Sequence, residues 1–443
     1  MKLLVMDTEG EGTGVDLAWR AQNADHEVRY WLPITRGGNV RPYGEGLFNR
    51  PKDWHSSMEW ADLIVLTGNN KYADDLAEYF GKGYPIFGTN SKAAELELDR
   101  GKGQEVLVEH GIETVPYVVV NSVREGIEHI LKTGKGYAMK PWGGDSNSAM
   151  THVAKDANEA VFTLLRWQAA GLFKGQLMLQ ELVEGIEMGI SGWFGPGGWS
   201  KVIEESFEHK KFLTGDLGEN TGEMGTVIRH VEKSKLFSDV LEPLAEYLHL
   251  CKYVGDCSVN CIIGDTGEVA PLEFTMRLGW PDYCIRQSVF LGDPIEWMVD
   301  LLCGRDTLRV SDKIAVGVVM THGDFPKCRD GTGTWAGYPI EGITPENQDQ
   351  LHYQQVMLDE VPRIRGKKLV KTEMLCTAGT YPLVVTGTGG TVAGAARAAY
   401  KTVGELSWPS NVMHRTDIGK RLKKHLPALH RNGYAKGMEY GQS

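Results

Sequence analysis

The sequence predicts a chain of mixed α/β and α+β structure that is divided into several packed units. Strand and helix patterns alternate over about the first 90 residues, which indicates a doubly wound parallel sheet. After them, helical segments separate further strands, as in an α+β lobe. The 443 residues exceed one ordinary core, so about two to four units are expected.

Short apolar runs predict the strands, and periodic runs predict the helices. In the first unit, residues 1–90, the predicted strands are 3–6, 26–31, 62–66 and 85–88, and the helices are 15–22 and 72–80. The second unit, 91–305, opens on a long helix at 91–109 and contains a small lobe at about 115–183. Its predicted strands are 115–120, 137–140, 177–182, 186–193, 202–206, 257–263 and 268–274, followed by a helix at 294–302. The third unit, 306–443, has strands at 314–321 and 383–386 and a helix at 391–406.

Composition excludes some classes of function. The net charge is -11 and the pI is near 5.7, and an acidic chain lacks the basic field of a nucleic-acid binding protein. We read no apolar run long enough to cross a membrane, and a strand rather than a leader opens the chain. The interpretation is a cytoplasmic monomer or homodimer that acts on small molecules.

The seven cysteines are scattered and odd in number, which argues against a disulfide framework. The group Cys251, Cys257 and Cys261 could hold a metal, but its spacing fits no usual zinc pattern.

A lysine at a strand end is the first candidate for chemistry. Lys140 is followed by a loop that contains Gly143, Gly144 and Ser146. A compact positive charge and a loop of accessible N–H groups suit a nucleotide phosphate, although a plain hairpin would look the same. The Gly-Lys-Ser/Thr ending of a Walker loop is missing.

Two acidic strand segments are the next candidates. In the first, an apolar strand runs through Glu181 and Val183 to Glu187, which suits either an adenine hinge with a ribose acceptor or a solvated turn. In the second, Glu273, Thr275 and Arg277 alternate, so they are expected on one face of a strand. Such a set suits Mg²⁺ and the phosphate it neutralises, or else a surface ion pair.

A long segment rich in Gly, Asp and Asn, residues 209–226, is the fourth candidate. Lys210 and Lys211 flank it, and it is expected to be a functional loop or a solvated one. Its candidate substrate residues are Asp216, Asn220, Thr221, Gly222 and Met224.

The order of these motifs resembles that of the ATP-grasp superfamily, and more narrowly that of the phosphoribosylamine–glycine ligase (glycinamide ribonucleotide synthetase) family. The family's His-Lys-Arg and Gly-Asp-x-x-x-x-Asn-Thr-Gly-Gly-Met-Gly motifs are matched at 209–211 and 215–225, with Glu223 in place of a glycine. Its Glu-Phe-Asn-x-Arg is similar to 273–277, and its Arg-x-Asp-Ile-Gly is similar to 415–419. The resemblance covers nearly the whole chain.

The resemblance implies an ATP-grasp fold with an N-terminal doubly wound (pre-ATP-grasp) domain, a small lid lobe, a central grasp sheet and a C-terminal domain. It implies ATP and Mg²⁺ as cofactors, and an acyl phosphate on the way to an amide. Arg100 (or Lys102) and Lys140 would contact phosphates, Glu181 and Val183 would line the adenine, and Glu187 would hold the ribose. Glu273 would bind Mg²⁺, and Arg277 would stabilise the transferred phosphoryl group.

Departures from the family lie mainly on the acceptor side. The family's first loop carries Arg and His and holds phosphoribosylamine, whereas Gly12 and Gly14 stand here without them. Thr275 replaces the metal-binding Asn, for which Asn260 or Asp256 could compensate.

The sequence therefore predicts a ligase that joins glycine or another small amino acid to a changed amine. Three alternatives remain: an authentic phosphoribosylamine–glycine ligase, a regulatory nucleotide-binding protein, and a dinucleotide-dependent oxidoreductase suggested by the first glycine loop.

Overall fold

The computed structural model describes residues 1–35, 38–69, 72–142, 151–173, 175–323, 325–326, 335–409 and 411–442. Strands over these residues are β1 (Lys2–Met6), β2 (Glu27–Trp31), β3 (Leu63–Leu66), β4 (Ile86–Phe87), β5 (Tyr117–Val120), β6 (Tyr137–Trp142), β7 (His152–Ala154), β8 (Gln176–Glu181), β9 (Ile186–Gly195), β10 (Gly198–Glu208), β11 (Lys211–Leu213), β12 (Leu217–Asn220), β13 (Gly225–Val231), β14 (Gly255–Ile263), β15 (Val269–Thr275), β16 (Phe290–Leu291), β17 (Arg309–Val310), β18 (Ile314–His322), β19 (Leu351–Tyr353), β20 (Val356–Arg365), β21 (Lys368–Thr377), β22 (Leu383–Gly389) and β23 (Val412–Met413).

Helices over the same residues are α1 (Val15–Asn23), α2 (His55–Met58), α3 (Ala73–Gly81), α4 (Ser91–Leu98), α5 (Arg100–Glu109), α6 (Val123–Thr133), α7 (Ala157–Ala169), α8 (Lys235–Val240), α9 (Ala245–Leu250), α10 (Asp282–Gln287), α11 (Glu296–Leu302), α12 (Val392–Val403) and α13 (Leu422–Arg431). None of these helices combines the length and the apolar character that a membrane crossing requires.

The N-terminal sheet is parallel, in the order β2-β1-β3-β4. Alternate residues of β1 enter different cores: Leu3 and Val5 pack with α1, whereas Leu4 and Met6 pack with the opposite layer around Trp31. Because both faces of the sheet are covered, the doubly wound fold predicted for this unit is confirmed.

The small lobe is an antiparallel sheet in the order β5-β8-β6-β7, with α6 and α7 packed on one face. The larger antiparallel sheet has the order β15-β14-β9-β10-β13-β18-β22-β19, and β23 pairs with β18. Its last three strands come from the chain after residue 305, so the sheet continues across the predicted boundary there. The unit boundaries themselves remain predictions.

Three local differences from the sequence interpretation have physical reasons. The single helix predicted at 91–109 is wrong, because Asp99 adopts an extended conformation and its carboxylate caps α5 by accepting from Gly101 and Lys102 amides. The glycine-rich segment 209–226 is not wholly irregular, since β11 and β12 form a short hairpin within it. The long hairpin β20–β21 was not predicted at all.

Candidate functional site

Lys140 lies on β6 at the face of the lobe that meets the large sheet. Its side chain is buried, and its Nζ donates to Gln180 Oε1 at 2.9 Å. Burial, with Arg100 and Lys210 nearby, lowers the pKa of Lys140 to about 8, although Glu273 and Glu187 oppose that shift. The lysine predicted at the end of a strand thus faces charged groups of another sheet.

Lys210 lies at the centre of three carboxylates. Its Nζ is 2.7 Å from Glu187 on β9, 3.4 Å from Glu208 on β10 and 3.7 Å from Glu273 on β15. Burial by itself lowers the pKa of Lys210, but these carboxylates outweigh it and raise the pKa well above its ordinary value. The ammonium therefore stays charged and joins three strands of the sheet.

Glu273 is the carboxylate that the cations share. Its Oε2 lies 3.7 Å from Arg100 Nη2, and its Oε1 faces Lys210. Burial alone would raise the pKa of Glu273, but Lys210, Lys140 and Arg100 lower it to about 2. Of the two cations predicted at the start of α5, Arg100 faces this cluster, whereas Lys102 lies near Glu105 at 3.8 Å.

Glu273 suits a magnesium ion, because its carboxylate is ionised and its side chain is 38% exposed. Mg²⁺ bound with a nucleotide needs only one or two carboxylates, the rest coming from phosphates and water. Thr275 pairs in register with Ser258, and Asn260 with Glu273, so both predicted neutral ligands are near. The Asn260 Nδ2 donates to both oxygens of Glu208, at 3.0 and 3.1 Å. In the described part of the chain, no cluster of three His, Cys, Asp or Glu side chains is arranged to hold a metal, the cysteine group included.

The predicted adenine hinge follows the end of β8. Glu181 is partly exposed and forms a 2.8 Å ion pair with Lys135, and Val183 is partly exposed. Glu187 lies on β9. Its side chain is partly exposed and forms an ion pair with Lys210. Gly143, Gly144 and Ser146 lie outside the described residues.

Arg277 lies just beyond β15, and it is connected to the N-terminal unit through Glu97. Its Nε is 3.1 Å from Glu97 Oε1 on α4, and the other oxygen of Glu97 accepts from the Met276 amide and from Asn69. Glu97 raises the pKa of Arg277, so the guanidinium remains charged. Arg277 is thereby fixed at the junction of the first sheet and the large one.

The segment 209–225 is held by the C-terminal motif that resembled the family. Arg415 is buried, and its guanidinium donates to both oxygens of Asp417 at 2.8 Å, to Asp216 at 2.8 Å and to the Lys211 carbonyl at 3.0 Å. Asp417 also accepts from the Gly215 amide at 2.9 Å. Two motifs some 200 residues apart in the chain therefore form one clamp.

Other predicted substrate residues of this segment have mixed surroundings. Asn220 ends β12 and is exposed, and Thr221 donates from its hydroxyl to the Lys210 carbonyl at 2.8 Å. Gly222 faces the Trp280 ring, and Met224 is fully buried. Thr221 thus positions Lys210, while Met224 belongs to the core.

The first glycine loop is filled by the side chain of Asp7. This buried carboxylate accepts from the amides of Gly10 at 3.1 Å, Glu11 at 3.3 Å and Gly14 at 3.4 Å, and from the Tyr30 hydroxyl at 2.6 Å. Gly12 has a φ of +85° and lies against the Gln354 carbonyl. The loop amides that would bind a phosphate already donate to the Asp7 carboxylate. Two anions cannot share these donors, so Asp7 excludes a phosphate from them.

The sequence interpretation missed a buried acidic layer around Arg286, of which it named only Asp256, as a possible substitute for a metal ligand. Arg286 is buried and contacts Asp256 at 2.8 Å, Glu204 at 2.7 Å and Asp282. Burial raises the pKa of Glu204 well above its ordinary value, despite Arg286. Glu223 is buried in the same region, and its place in a glycine motif was the one signal in the sequence.

Comparison with known proteins agrees with this geometry. Residues 102–283 match the family model described as phosphoribosylglycinamide synthetase, ATP-grasp (A) domain. The phosphoribosylamine–glycine ligase of Allochromatium vinosum is 25% identical over 446 residues, covering 95% of this chain and 98% of the relative. Among solved structures, phosphoribosylamine–glycine ligase from Thermotoga maritima has a TM-score of 0.71 at 19% identity, covering 95% of this chain and all of the other. Biotin carboxylase from Campylobacter jejuni, in an ATP-analogue complex, has a TM-score of 0.63 at 11% identity, covering 98% and 97%.

These findings place the chain in the ATP-grasp class of ligases that form carbon–nitrogen bonds. Within that class it resembles phosphoribosylamine–glycine ligase along nearly its whole length. The ATP-grasp fold is confirmed, and the resemblance to the suspected family is supported by the family model over residues 102–283 and by the curated relatives.

Proposed function

We propose that this chain is an ATP-dependent carboxylate–amine ligase, which activates glycine or another small amino acid as an acyl phosphate and transfers it to an amine other than phosphoribosylamine. The observation that carries the proposal is the convergence of Lys140, Arg100 and Lys210 on Glu273, where the lobe meets the large sheet. Three cations around one ionised carboxylate suit a polyphosphate and its metal ion.

The proposed roles follow from charge. Lys140 and Arg100 bind ATP phosphates, and Lys210 and Arg277 offset the charge that builds up as the phosphoryl group approaches an anionic carboxylate. The backbone at Glu181 and Val183 lines the adenine, and Glu187 accepts from the ribose. Lys211 and Asp216 belong to the clamped segment that covers the substrates and keeps water away from the acyl phosphate.

Magnesium fits beside Glu273, with Thr275 or Asn260 as neutral neighbours. When bound, Mg²⁺ neutralises phosphate charge and makes ADP a better leaving group. The remaining steps depend on the protein's cations, which hold the phosphates, and on the lobe, which encloses them.

The acceptor is where this chain departs from its relatives. Asp7 occupies the loop amides around Gly12 and Gly14, so a ribose phosphate has no ready cradle there. The second candidate is an authentic phosphoribosylamine–glycine ligase of purine biosynthesis. The observation that favours it is the clamp between 209–225 and Arg415, which unites two motifs of that family.

The test is phosphate release from ATP and Mg²⁺, screened with amino acids in the presence and absence of phosphoribosylamine. We expect release with an amino acid and a different amine. Release that requires glycine and phosphoribosylamine together would establish the second candidate. ATP binding without any release would favour a regulatory protein instead.

Two variants test the site assignment. Lys140→Ala and Glu273→Ala are expected to remove turnover and to leave the fold intact, because both side chains are at the junction and neither is in an apolar core. Exposed Lys371→Ala is the matched control and should retain full turnover. Near-normal turnover of either site variant would refute the assignment.

The proposed setting is the cytoplasm, as a monomer or homodimer. A reducing compartment is supported by the six cysteines of the described residues, all of which are free.

A further inference from the structure

One buried carboxylate of the site, Glu223, has no assigned task, and one of its oxygens has no hydrogen-bond partner among the described residues. Glu223 is 3% exposed, and the oxygen concerned is Oε1. A buried carboxylate oxygen without a hydrogen bond costs free energy, and a ligand that donates a hydrogen bond to it would offset that cost. The resembling family has a glycine at this position of the motif.

The surroundings of Glu223 show what kind of ligand would satisfy it. Glu208, Asp282 and Glu187 act on it as like charges, and Lys210, already shared among three carboxylates, is the cation nearby. Asp282 also has a buried oxygen, Oδ1, without a partner among the described residues. A group that enters this region must carry positive charge and donate hydrogen bonds.

The opposite wall of this region is aromatic. A Cβ atom on Gly222 would lie 3.5 Å from the Trp280 ring, and Trp280 packs on Tyr381 with ring centroids 4.7 Å apart. Gly222 precedes Glu223 and Trp280 is two residues before Asp282, so the contact of Gly222 with Trp280 joins the segments that carry the two carboxylates. Aromatic faces bind organic cations, which agrees with the charge of the acidic side.

Resting on the ligase function proposed above, we infer that the acceptor is a basic alkylamine, which binds as its ammonium ion against Glu223 and gives its proton to that carboxylate. Alkylamines are charged at neutral pH, with pKa values near 10 for a lysine-like amine. An amine attached to an anomeric carbon is much less basic, because the ring oxygen withdraws electrons, and it arrives neutral. A family that uses phosphoribosylamine needs no carboxylate here, whereas an alkylammonium acceptor does.

The proton balance is simple. One N–H bond of the ammonium breaks, its electron pair stays on nitrogen, and an O–H bond forms on Glu223. The free amine attacks the acyl carbon, a C–N bond forms, and the C–O bond to the phosphoryl group breaks. The second proton leaves with phosphate as hydrogen phosphate. Burial, with Glu208 and Asp282, raises the pKa of Glu223, which allows it to hold the first proton.

The experiment compares two kinds of acceptor in the same protein. Hydroxylamine is weakly basic and neutral at neutral pH, and it traps acyl phosphates as hydroxamates without a base. Ethanolamine, putrescine and lysine are charged alkylamines. Each is offered to the full chain with ATP, Mg²⁺ and a panel of amino acids, with phosphoribosylamine as a further acceptor.

Glu223→Gln keeps the size of the side chain and removes its charge. We expect kcat/KM for the alkylamine to fall at least about 100-fold, while hydroxamate formation is unchanged. Glu223→Asp should recover part of the alkylamine rate. Glu205→Gln is the matched control. Glu205 is equally buried on β10 and likewise has one oxygen, Oε2, without a hydrogen-bond partner among the described residues, but its Oε1 accepts from Ser234 at 2.7 Å and the cation that acts on it is Arg229, not Lys210. It should change neither reaction.

Each of the remaining outcomes would overturn the inference. If wild-type protein forms hydroxamate but accepts no alkylamine, or if Glu223→Gln keeps the alkylamine rate, the inference is wrong. Equal loss of both reactions in Glu223→Gln would also overturn it, since the residue would then act before the acceptor. Absence of hydroxamate in the wild type would refute the ligase function itself, and the inference would fall with it.

Discussion

Replacement of Arg415 by methionine tests whether the C-terminal motif holds the candidate site together. The side chain is 1% exposed and makes four polar contacts, of which two are to Asp417 at 2.8 Å. Methionine preserves much of the apolar stem and removes the guanidinium. Asp417 then keeps the Gly215 amide as a hydrogen-bond donor but loses its charged partner.

The magnitude follows from the burial of the partners. Removing one member of a fully buried ion pair costs about 3–5 kcal/mol. Asp417 is 17% exposed and Asp216 is 50% exposed, so water offsets part of that loss. We therefore expect the clamp to open more easily by about 2–3 kcal/mol, a factor of roughly 30–150 in its opening equilibrium.

Hydrogen exchange measures this opening directly at two amides. Gly215 N donates to Asp417, and Gly419 N donates to His209 Nε2 at 3.1 Å. Both amides should lose protection by the stated factor in Arg415→Met, and turnover should fall with them because the clamped segment carries Lys210. Arg415→Lys should recover little, since lysine lacks the planar fork.

An exposed ion pair of the same length serves as the control. Lys371 and Glu360 are 2.8 Å apart but are 73% and 61% exposed, so Lys371→Met should leave the stability almost unchanged. If Arg415→Met changes the protection of Gly215 by no more than this control does, the reasoning that burial gives the clamp its strength is refuted.

Three further predictions concern the nucleotide, the metal and the first loop. Nucleotide phosphates favour the ammonium form of Lys140, whose pKa is about 8 in the free protein. Above that pH, ATP binding takes up a proton, so ATP affinity should fall by up to about tenfold per pH unit. Calorimetry of Lys140→Met should show no such pH dependence. Thr275→Asn should lower the Mg²⁺ concentration that half-saturates ATP binding, because an amide oxygen is the better ligand, and an unchanged value would show that Thr275 is remote from the metal. Gly12→Ala should destabilise the fold by about 1–3 kcal/mol, because its φ is +85° and the new Cβ would lie 3.0 Å from the Gln354 carbonyl oxygen. Gly38→Ala is the control, since its φ is +79° but its Cβ would meet open space, and it should lower the melting temperature less. Equal effects would contradict the role of the Gln354 contact.

Much of the fold could be predicted because its elements are local. The β1 strand was recognisable from four consecutive apolar residues, and the β14–β15 hairpin from a turn between two apolar runs. The break between α4 and α5 was missed because it depends on a single capping aspartate within a helical pattern. The β20–β21 hairpin was missed because its apolar residues are consecutive in one place, at 356–358, and exposed in others, at Ile364 and Leu369, so it lacks the alternation of a half-buried strand.

The sequence by itself determined the chemical types of the site residues and their order along the chain. Lys140 is at the end of one strand, Glu273 and Arg277 are at the end of another, and the glycine-rich segment lies between them. Only the tertiary structure decided which charges meet. Lys210 joins Glu187 and Glu273 because β9 and β15 lie on either side of β14 in one sheet, an order that the chain sequence does not reveal. The same applies to Asp7 in its own loop and to Glu223, whose Oε1 has no hydrogen-bond partner among the described residues, since burial and pairing depend on groups brought together from distant segments.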